Sequence, residues 1–276
     1  SLKYLTASSV TPSGSHYFWI GQRIEGYNIA ATGWNTPFGK HCTLSFWVKS
    51  SNPGIWAGSV RKGGATFGYC FVYEIENKDT WEWKQVTVPP PTTSNSGWNV
   101  TNGVGIQIQF DVGTSRVADL GADTIGKWQS HNTYTHNDTI LPITRLHGTS
   151  GGTWYLTGVQ FEAGRVATPF EQRSYGEELG LCQRYYLDAY NSFALSVDIE
   201  DASFPSVQFP VEMRPTPSTD VYAASDGTVN RMSRYAGTKC TVSSVTTSTR
   251  GISLIQHDSE SAGRAWGFRY RVNSEL

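Results

Sequence analysis

Residues 43–48 read Thr-Leu-Ser-Phe-Trp-Val, with an apolar side chain at every second position from Leu44 onward. Because successive side chains of a β-strand point to opposite faces, Leu44, Phe46 and Val48 are expected on one face. Trp47 is then expected on the other face. The stretch therefore predicts a strand with one buried face and a tryptophan that leaves the core.

The same alternation recurs along the chain between turn signals such as Asn-Pro-Gly at 52–54 and Pro-Pro-Pro at 89–91. Further strands are predicted near residues 71–76, 104–110, 154–161, 192–197, 207–211, 241–245, 252–255 and 266–272. Many short strands joined by Gly- and Pro-rich turns are typical of sandwiches and jelly rolls. The sequence predicts an all-β chain.

Tryptophan is distributed unevenly: nine of the ten lie at or before Trp154, and only Trp266 comes later. Between them, residues 169–186 carry acidic side chains early, Arg184 late and apolar side chains at helical spacing. We therefore predict a jelly-roll β-sandwich, a short linking helix and a small C-terminal β-sandwich domain, with bounds 1–170, 171–190 and 191–276. The last is small enough that oligomerisation is expected to stabilise it.

Composition excludes several classes of protein. The 276 residues include 22 Lys and Arg against 23 Asp and Glu, a net charge of −1, so the basic excess of a nucleic-acid-binding surface is missing. No stretch approaches the roughly 18 apolar residues of a membrane helix. An aromatic content of 13% argues against a disordered chain. We expect neither nucleic acid nor membrane as a partner, and we expect the chain to be the C-terminal part of a longer protein.

The four cysteines, Cys42, Cys70, Cys182 and Cys240, are widely spaced and form no Cys-x-x-Cys motif. A zinc or redox site of that type is therefore not indicated. Free cysteine is among the most buried residue types, so buried free thiols are the first expectation. A disulfide is the alternative.

Several short blocks resemble recurring segments of tail-fibre and tail-spike proteins of tailed bacteriophages. The blocks lie at 22–26, 43–48, 80–82, 156–162, 167–171 and 178–186, with two more at 209–217 and 272–276. The resemblance implies a carbohydrate-binding-module-like jelly roll followed by a β-rich tip that caps a homotrimer. It also implies location at the tip of a virion fibre or spike, attachment to an upstream shaft, and binding of a host-surface polysaccharide or glycan.

Saccharide binding makes simple demands on a protein surface. A pyranose ring has one apolar C–H face and a rim of hydroxyls, so a site needs an exposed aromatic ring and nearby polar groups. Trp47, Gln107 and Gln109 are each predicted to point away from the core. Together they are the first candidate site on an outer sheet face. The alternative is that Trp47 is covered by a loop, by the C-terminal domain or by a neighbouring subunit.

Aromatic residues predicted in loops are the second group of candidates, because recognition residues concentrate at loop tips. They are Trp34, Trp56, Trp128 and Tyr134. Packing as a lid over the core is the alternative for the tryptophans.

Catalysis and metal binding have weaker support. Glu74 and Glu76 alternate on a strand in a pattern loosely similar to that of jelly-roll glucanases, but a plain polar strand face is the better explanation, because so short a pattern arises by chance on any solvated strand. Asp111, Asp119 and Asp123 could contribute to a structural calcium site; no other cofactor is expected. We therefore expect a protein that is not an enzyme and binds glycan, with two alternatives: a trimerisation cap without a ligand, and a polysaccharide depolymerase.

Overall fold

The computed structural model describes most of the chain as two compact units, Ser1–Glu171 and Gln172–Leu276. The described residues are 1–11, 18–34, 36–64, 67–91, 97–113, 125–129, 143–199, 202–205, 207–234, 237–258 and 265–275. Strands dominate both units, which confirms the predicted all-β class. In the described part of the chain, neither helix has the length and apolar character needed to cross a membrane.

The first unit contains two antiparallel sheets. In spatial order, the four-stranded sheet consists of β1 (Leu2–Leu5), β9 (Thr153–Ala163), β3 (Cys42–Ser50) and β6 (Glu82–Val88). The five-stranded sheet consists of β2 (Trp19–Glu25), β7 (Val104–Asp111), β4 (Gly54–Lys62), β5 (Gly68–Ile75) and β8 (Trp128–Gln129). A four-residue helix, α1 (Gly26–Ile29), and a 3-10 turn, Ala30–Thr32, follow β2.

The two sheets pack face to face around an aromatic core. The Phe46 ring on β3 contacts Phe110 on β7 and Tyr73 on β5, with centroid distances of 4.9 and 5.1 Å. Leu44 and Val48 lie on the same face as Phe46, and all three are fully buried. This arrangement confirms the inner face that the alternation in residues 43–48 predicted.

The second unit begins with helix α2 (Tyr175–Gln183) and continues as eight strands. The strands are β10 (Tyr186–Ile199), β11 (Ala202–Pro205), β12 (Val207–Gln208), β13 (Ser218–Ala223), β14 (Arg231–Ser233), β15 (Lys239–Ser248), β16 (Gly251–His257) and β17 (Ala265–Asn273). Because β10 pairs with both β11 and β17, the sheet closes on itself. Trp266, Phe268 and Val272 of β17 point into its core, as the sequence predicted.

Helix α2 lies within the region where the sequence predicted a helix. The side chain of Ser174 accepts a hydrogen bond from the Glu177 amide, which satisfies one free N–H group at the helix start. None of the residues of α2 is buried. Cys182 is consequently exposed, which corrects the expectation of four buried thiols. Cys42, Cys70 and Cys240 are buried as expected, and all four cysteines are free.

Candidate functional site

Two tryptophans face each other across neighbouring strands on the outer face of the four-stranded sheet. Trp47 of β3 lies directly opposite Trp83 of β6, and Thr157 of β9 continues the same row. The side chains of Trp47 and Trp83 are 44% and 47% exposed. They point outward because their strand neighbours, including Phe46 and Val48, occupy the inner face. Exposed aromatic residues directly opposite each other form a continuous apolar area.

Phe170 extends this area and lies beside a bulge in β9. The pairing of β9 with β3 shifts between Ser45 and Trp47, and Gly158 at that point has a φ of 57°. A Cβ atom on Gly158 would lie 3.3 Å from Cδ1 of Trp47 and 4.0 Å from Cδ2 of Phe170. Gly158 thus sits between the two rings. Phe170 is 54% exposed. We call Trp47, Trp83 and Phe170 the aromatic surface.

The segment 164–171 crosses the same outer face, and its hydrogen bonds to the sheet hold Phe170 in position. The Glu171 amide donates to Oε1 of Gln160 at 2.9 Å, and the Ala167 amide donates to Oε1 of Gln85 at 3.2 Å. Oε1 of Glu162 accepts from the amide of Thr168 at 2.9 Å, and Oε2 accepts from its hydroxyl at 2.7 Å. Partial burial alone would raise the pKa of Glu162, but the hydrogen bonds from Gln160 and Thr168 lower it.

The ammonium groups of two lysines border the aromatic surface. Lys49 of β3 places its Nζ atom 4.4 Å from the ring centroid of Tyr155 and 5.3 Å from that of Trp81. Lys3 of β1 places its Nζ atom 5.6 Å from the Tyr155 centroid. At these distances the ammonium groups interact with the electron-rich ring faces.

Chemically, this arrangement can stack a flat apolar ligand face and hydrogen-bond its rim. Trp47, Trp83 and Phe170 offer exposed rings, while Gln85 and Thr157 on the same sheet face carry amide and hydroxyl groups. Such a surface suits a pyranose ring.

Gln107 and Gln109 do not join Trp47, which corrects the first candidate site. Both glutamines lie on β7 of the five-stranded sheet, whose outer face points away from that of the four-stranded sheet. Gln109 is also fully buried, and its Oε1 accepts hydrogen bonds from Ser59 and Arg61, each at 3.3 Å. Alternation distinguished the two faces of β3 and of β7 but could not assign the strands to sheets.

Trp34 and Trp56 are buried, so the prediction of exposed loop tryptophans is wrong for both. Trp56 lies on β4 rather than in a loop, and its Nε1 donates to the Asn52 carbonyl at 3.3 Å. Trp34 donates to the Lys40 carbonyl at 2.7 Å and packs edge-on against Trp98. Both indoles therefore serve the core of the first unit.

Trp128 is half-buried and also contributes to packing. Its ring stacks on Phe67 with a centroid distance of 5.3 Å and an interplanar angle of 10°. Its Nε1 donates to the Pro89 carbonyl at 2.7 Å. Tyr134 lies outside the described residues.

Sequence reasoning missed Trp83 and Phe170. A signal for Trp83 was present, because Trp83, Gln85 and Thr87 alternate with Val86 and Val88. No comparable periodicity marks Phe170, which lies beyond the end of β9 and is positioned by hydrogen bonds from residues distant in sequence.

Glu74 and Glu76 are both exposed on or just beyond β5. In glycosidases, burial raises the pKa of one carboxyl group, which then acts as the acid, while the other carboxylate stays ionised. Neither Glu74 nor Glu76 is buried in this way.

Of the possible calcium ligands, Asp111 is buried and its Oδ1 accepts from the Gly113 amide at 2.9 Å. Asp119 and Asp123 lie outside the described residues. Among the described residues, no three His, Cys, Asp or Glu side chains cluster closely enough to hold a metal ion.

Comparison with known proteins gives little further information. No protein-family model and no curated protein matches the chain. Two structures of discoidin II from Dictyostelium discoideum align with 86% of this chain and with 75% and 72% of their own, at 9% and 10% identity. The TM-score of both alignments is 0.20, which is too low to support an argument about fold or function.

Proposed function

We propose that this chain binds saccharide without catalysis, through the aromatic surface of its first unit. The observation that carries the proposal is the cross-strand pair Trp47 and Trp83, two large rings held about half exposed on the outside of an ordered sheet. Large aromatic residues are normally buried, and contiguous exposed apolar area marks interaction sites. The apolar C–H face of a pyranose would stack on these rings.

The polar surroundings also favour a saccharide. Thr157 provides a neutral hydroxyl beside the rings, and Gln85 provides an amide whose Oε1 also accepts from the Ala167 amide. The exposed Glu74 lies on the other sheet. Sugar hydroxyls both donate and accept hydrogen bonds, so amides and hydroxyls match them well.

We further propose that the chain is the receptor-binding end of a phage tail fibre or spike. The support is the series of sequence blocks, one of which, at 167–171, supplies Phe170 of the aromatic surface. In this role a homotrimer at the virion tip, attached to a shaft, would present three copies of the surface to a host polysaccharide. Three weak sites would act together through their effective concentration.

Removal of the two tryptophans tests the binding proposal. In the variant Trp47→Ala/Trp83→Ala, we expect at least a tenfold loss of binding to host cells or arrayed glycans, because stacking on an aromatic ring is worth about 1 kcal/mol or more. Phe38→Ala is the matched control, since Phe38 is the most exposed of the large apolar residues in this unit and lies outside the aromatic surface. Circular dichroism would show that each variant is folded.

Two results would contradict the proposal. One is a chain that attaches to no host cell and no glycan. The other is a double variant that binds as well as the unmodified chain.

A further inference from the structure

The border of the aromatic surface carries two positive charges that converge on one ring. Lys49, Tyr155 and Lys3 form a single row across β3, β9 and β1, so their side chains share the outer face of the sheet. Nζ of Lys49 lies 4.4 Å and Nζ of Lys3 lies 5.6 Å from the Tyr155 centroid. Two ammonium groups beside one ring give this end of the sheet face a positive charge.

Among the described residues, no carboxylate pairs directly with either of these lysines. Neither ammonium group forms an ion pair within 4.0 Å with a described Asp or Glu, whereas Lys84 of the same sheet pairs with Glu82 at 2.7 Å. Asp79 approaches this edge, because its amide donates to the Ser50 carbonyl, yet it forms no ion pair with Lys49. Both ammonium groups instead lie against aromatic rings.

The charged row lies next to the row that contains Trp47. Tyr155 precedes Thr157 by two residues on β9, and Lys49 follows Trp47 by two on β3. Two residues along a strand span about 6.8 Å. A sugar ring stacked on Trp47 would therefore bring a charged substituent, or the charged group of the next sugar, within reach of Lys3 and Lys49.

We propose that the ligand is an acidic saccharide, whose carboxylate or phosphate groups are bound by Lys3 and Lys49. This inference rests on the proposed function and specifies the ligand class. The ring faces of Tyr155 and Trp81 hold the Lys49 ammonium near its binding position, which reduces the conformational entropy lost on binding.

A matched pair of ligands tests the charge. Titration calorimetry on the full chain would compare a uronic-acid oligosaccharide with the same oligosaccharide after reduction of its carboxyl groups to alcohols. We expect the acidic form to bind more tightly, by about fivefold for each lysine engaged. This preference should shrink as ionic strength rises, because the lysines are solvent-accessible. A phosphorylated oligosaccharide is the third ligand and distinguishes phosphate from carboxylate as the preferred group.

Variants then assign the preference to the two lysines. Lys3→Gln/Lys49→Gln should bind the acidic and reduced forms equally. Lys78→Gln is the control, because it removes a lysine from the turn before β6 that makes no contact with Tyr155.

The outcomes separate this inference from the proposed function. Equal binding of neutral and charged forms by the unmodified chain, sensitive to Trp47→Ala, overturns the acidic ligand and leaves saccharide binding intact. A preference that survives in the double lysine variant overturns the role of Lys3 and Lys49. Failure to bind any of the three ligands, together with failure to bind host cells, overturns both.

Discussion

At the scale of single residues, His147 shows how a buried polar side chain can tie distant segments together. Its Nε2 lies 2.9 Å from the Tyr4 hydroxyl and its Nδ1 lies 3.2 Å from the Val112 carbonyl. A ring with a proton on Nδ1 donates to the carbonyl and accepts from the hydroxyl, so the neutral form satisfies both contacts. Burial lowers the pKa of His147, although the Val112 carbonyl opposes this effect.

The lowered pKa of His147 predicts a loss of stability in acid. An unfolded histidine titrates near 6.5, so below about pH 6.5 the unfolded chain binds a proton that the folded chain resists. The free energy of unfolding should therefore fall as pH decreases through this range. Denaturant titrations at pH 8 and pH 5.5 measure the change. His147→Gln should reduce it; a pH dependence in His147→Gln equal to that of the unmodified chain would exclude His147 as the cause.

At the scale of structural elements, the bulge in β9 gives the aromatic surface its shape. The extra residue shifts the pairing with β3 beside Trp47, and Gly158 adopts a left-handed backbone conformation there. After β9, residues 164–171 turn back across the sheet and bring Phe170 to the other side of Gly158. Bulges often occur where a strand must redirect its side chains.

Substitution of Gly158 tests this element. Gly158→Ala should lower the free energy of unfolding by about 1–2 kcal/mol, because a residue with a Cβ atom is strained at positive φ. The new methyl group would also press against Trp47, at 3.3 Å, and saccharide binding should weaken. Gly148→Ala is the control, since that position has open space and no positive φ. Unchanged stability and binding in Gly158→Ala would show that the bulge is not needed.

At the scale of the whole molecule, helix α2 exposes apolar side chains to solvent. Leu179 and Leu181 of α2 are 40% and 45% exposed, and the helix buries none of its residues. Helices in soluble proteins normally bury an apolar stripe, and most of their stability comes from that packing. The two leucines are two positions apart, so they lie on different sides of α2. We propose that identical copies of the chain cover them in the proposed homotrimer.

The proposed trimer can be tested by sedimentation equilibrium. The unmodified chain should sediment as a trimer at micromolar concentration, and Leu179→Gln/Leu181→Gln should shift it towards the monomer. Glutamine has a helix propensity similar to that of leucine, so the change acts on the surface rather than on the helix itself. Glu177→Gln is the control on the same helix. A monomer at every concentration of the unmodified chain would contradict the proposed assembly.

The sequence by itself determined the fold class, about half of the described strands and, in strands such as β3, which side chains face the core. Alternation between neighbours in the chain is a local property, so it correctly placed Phe46 inside and Trp47 outside. Only the tertiary structure decided which outward residues share a surface, because sheet membership depends on pairing between distant strands. It therefore separated Gln107 and Gln109 from Trp47 and joined Trp47 to Trp83 and Phe170.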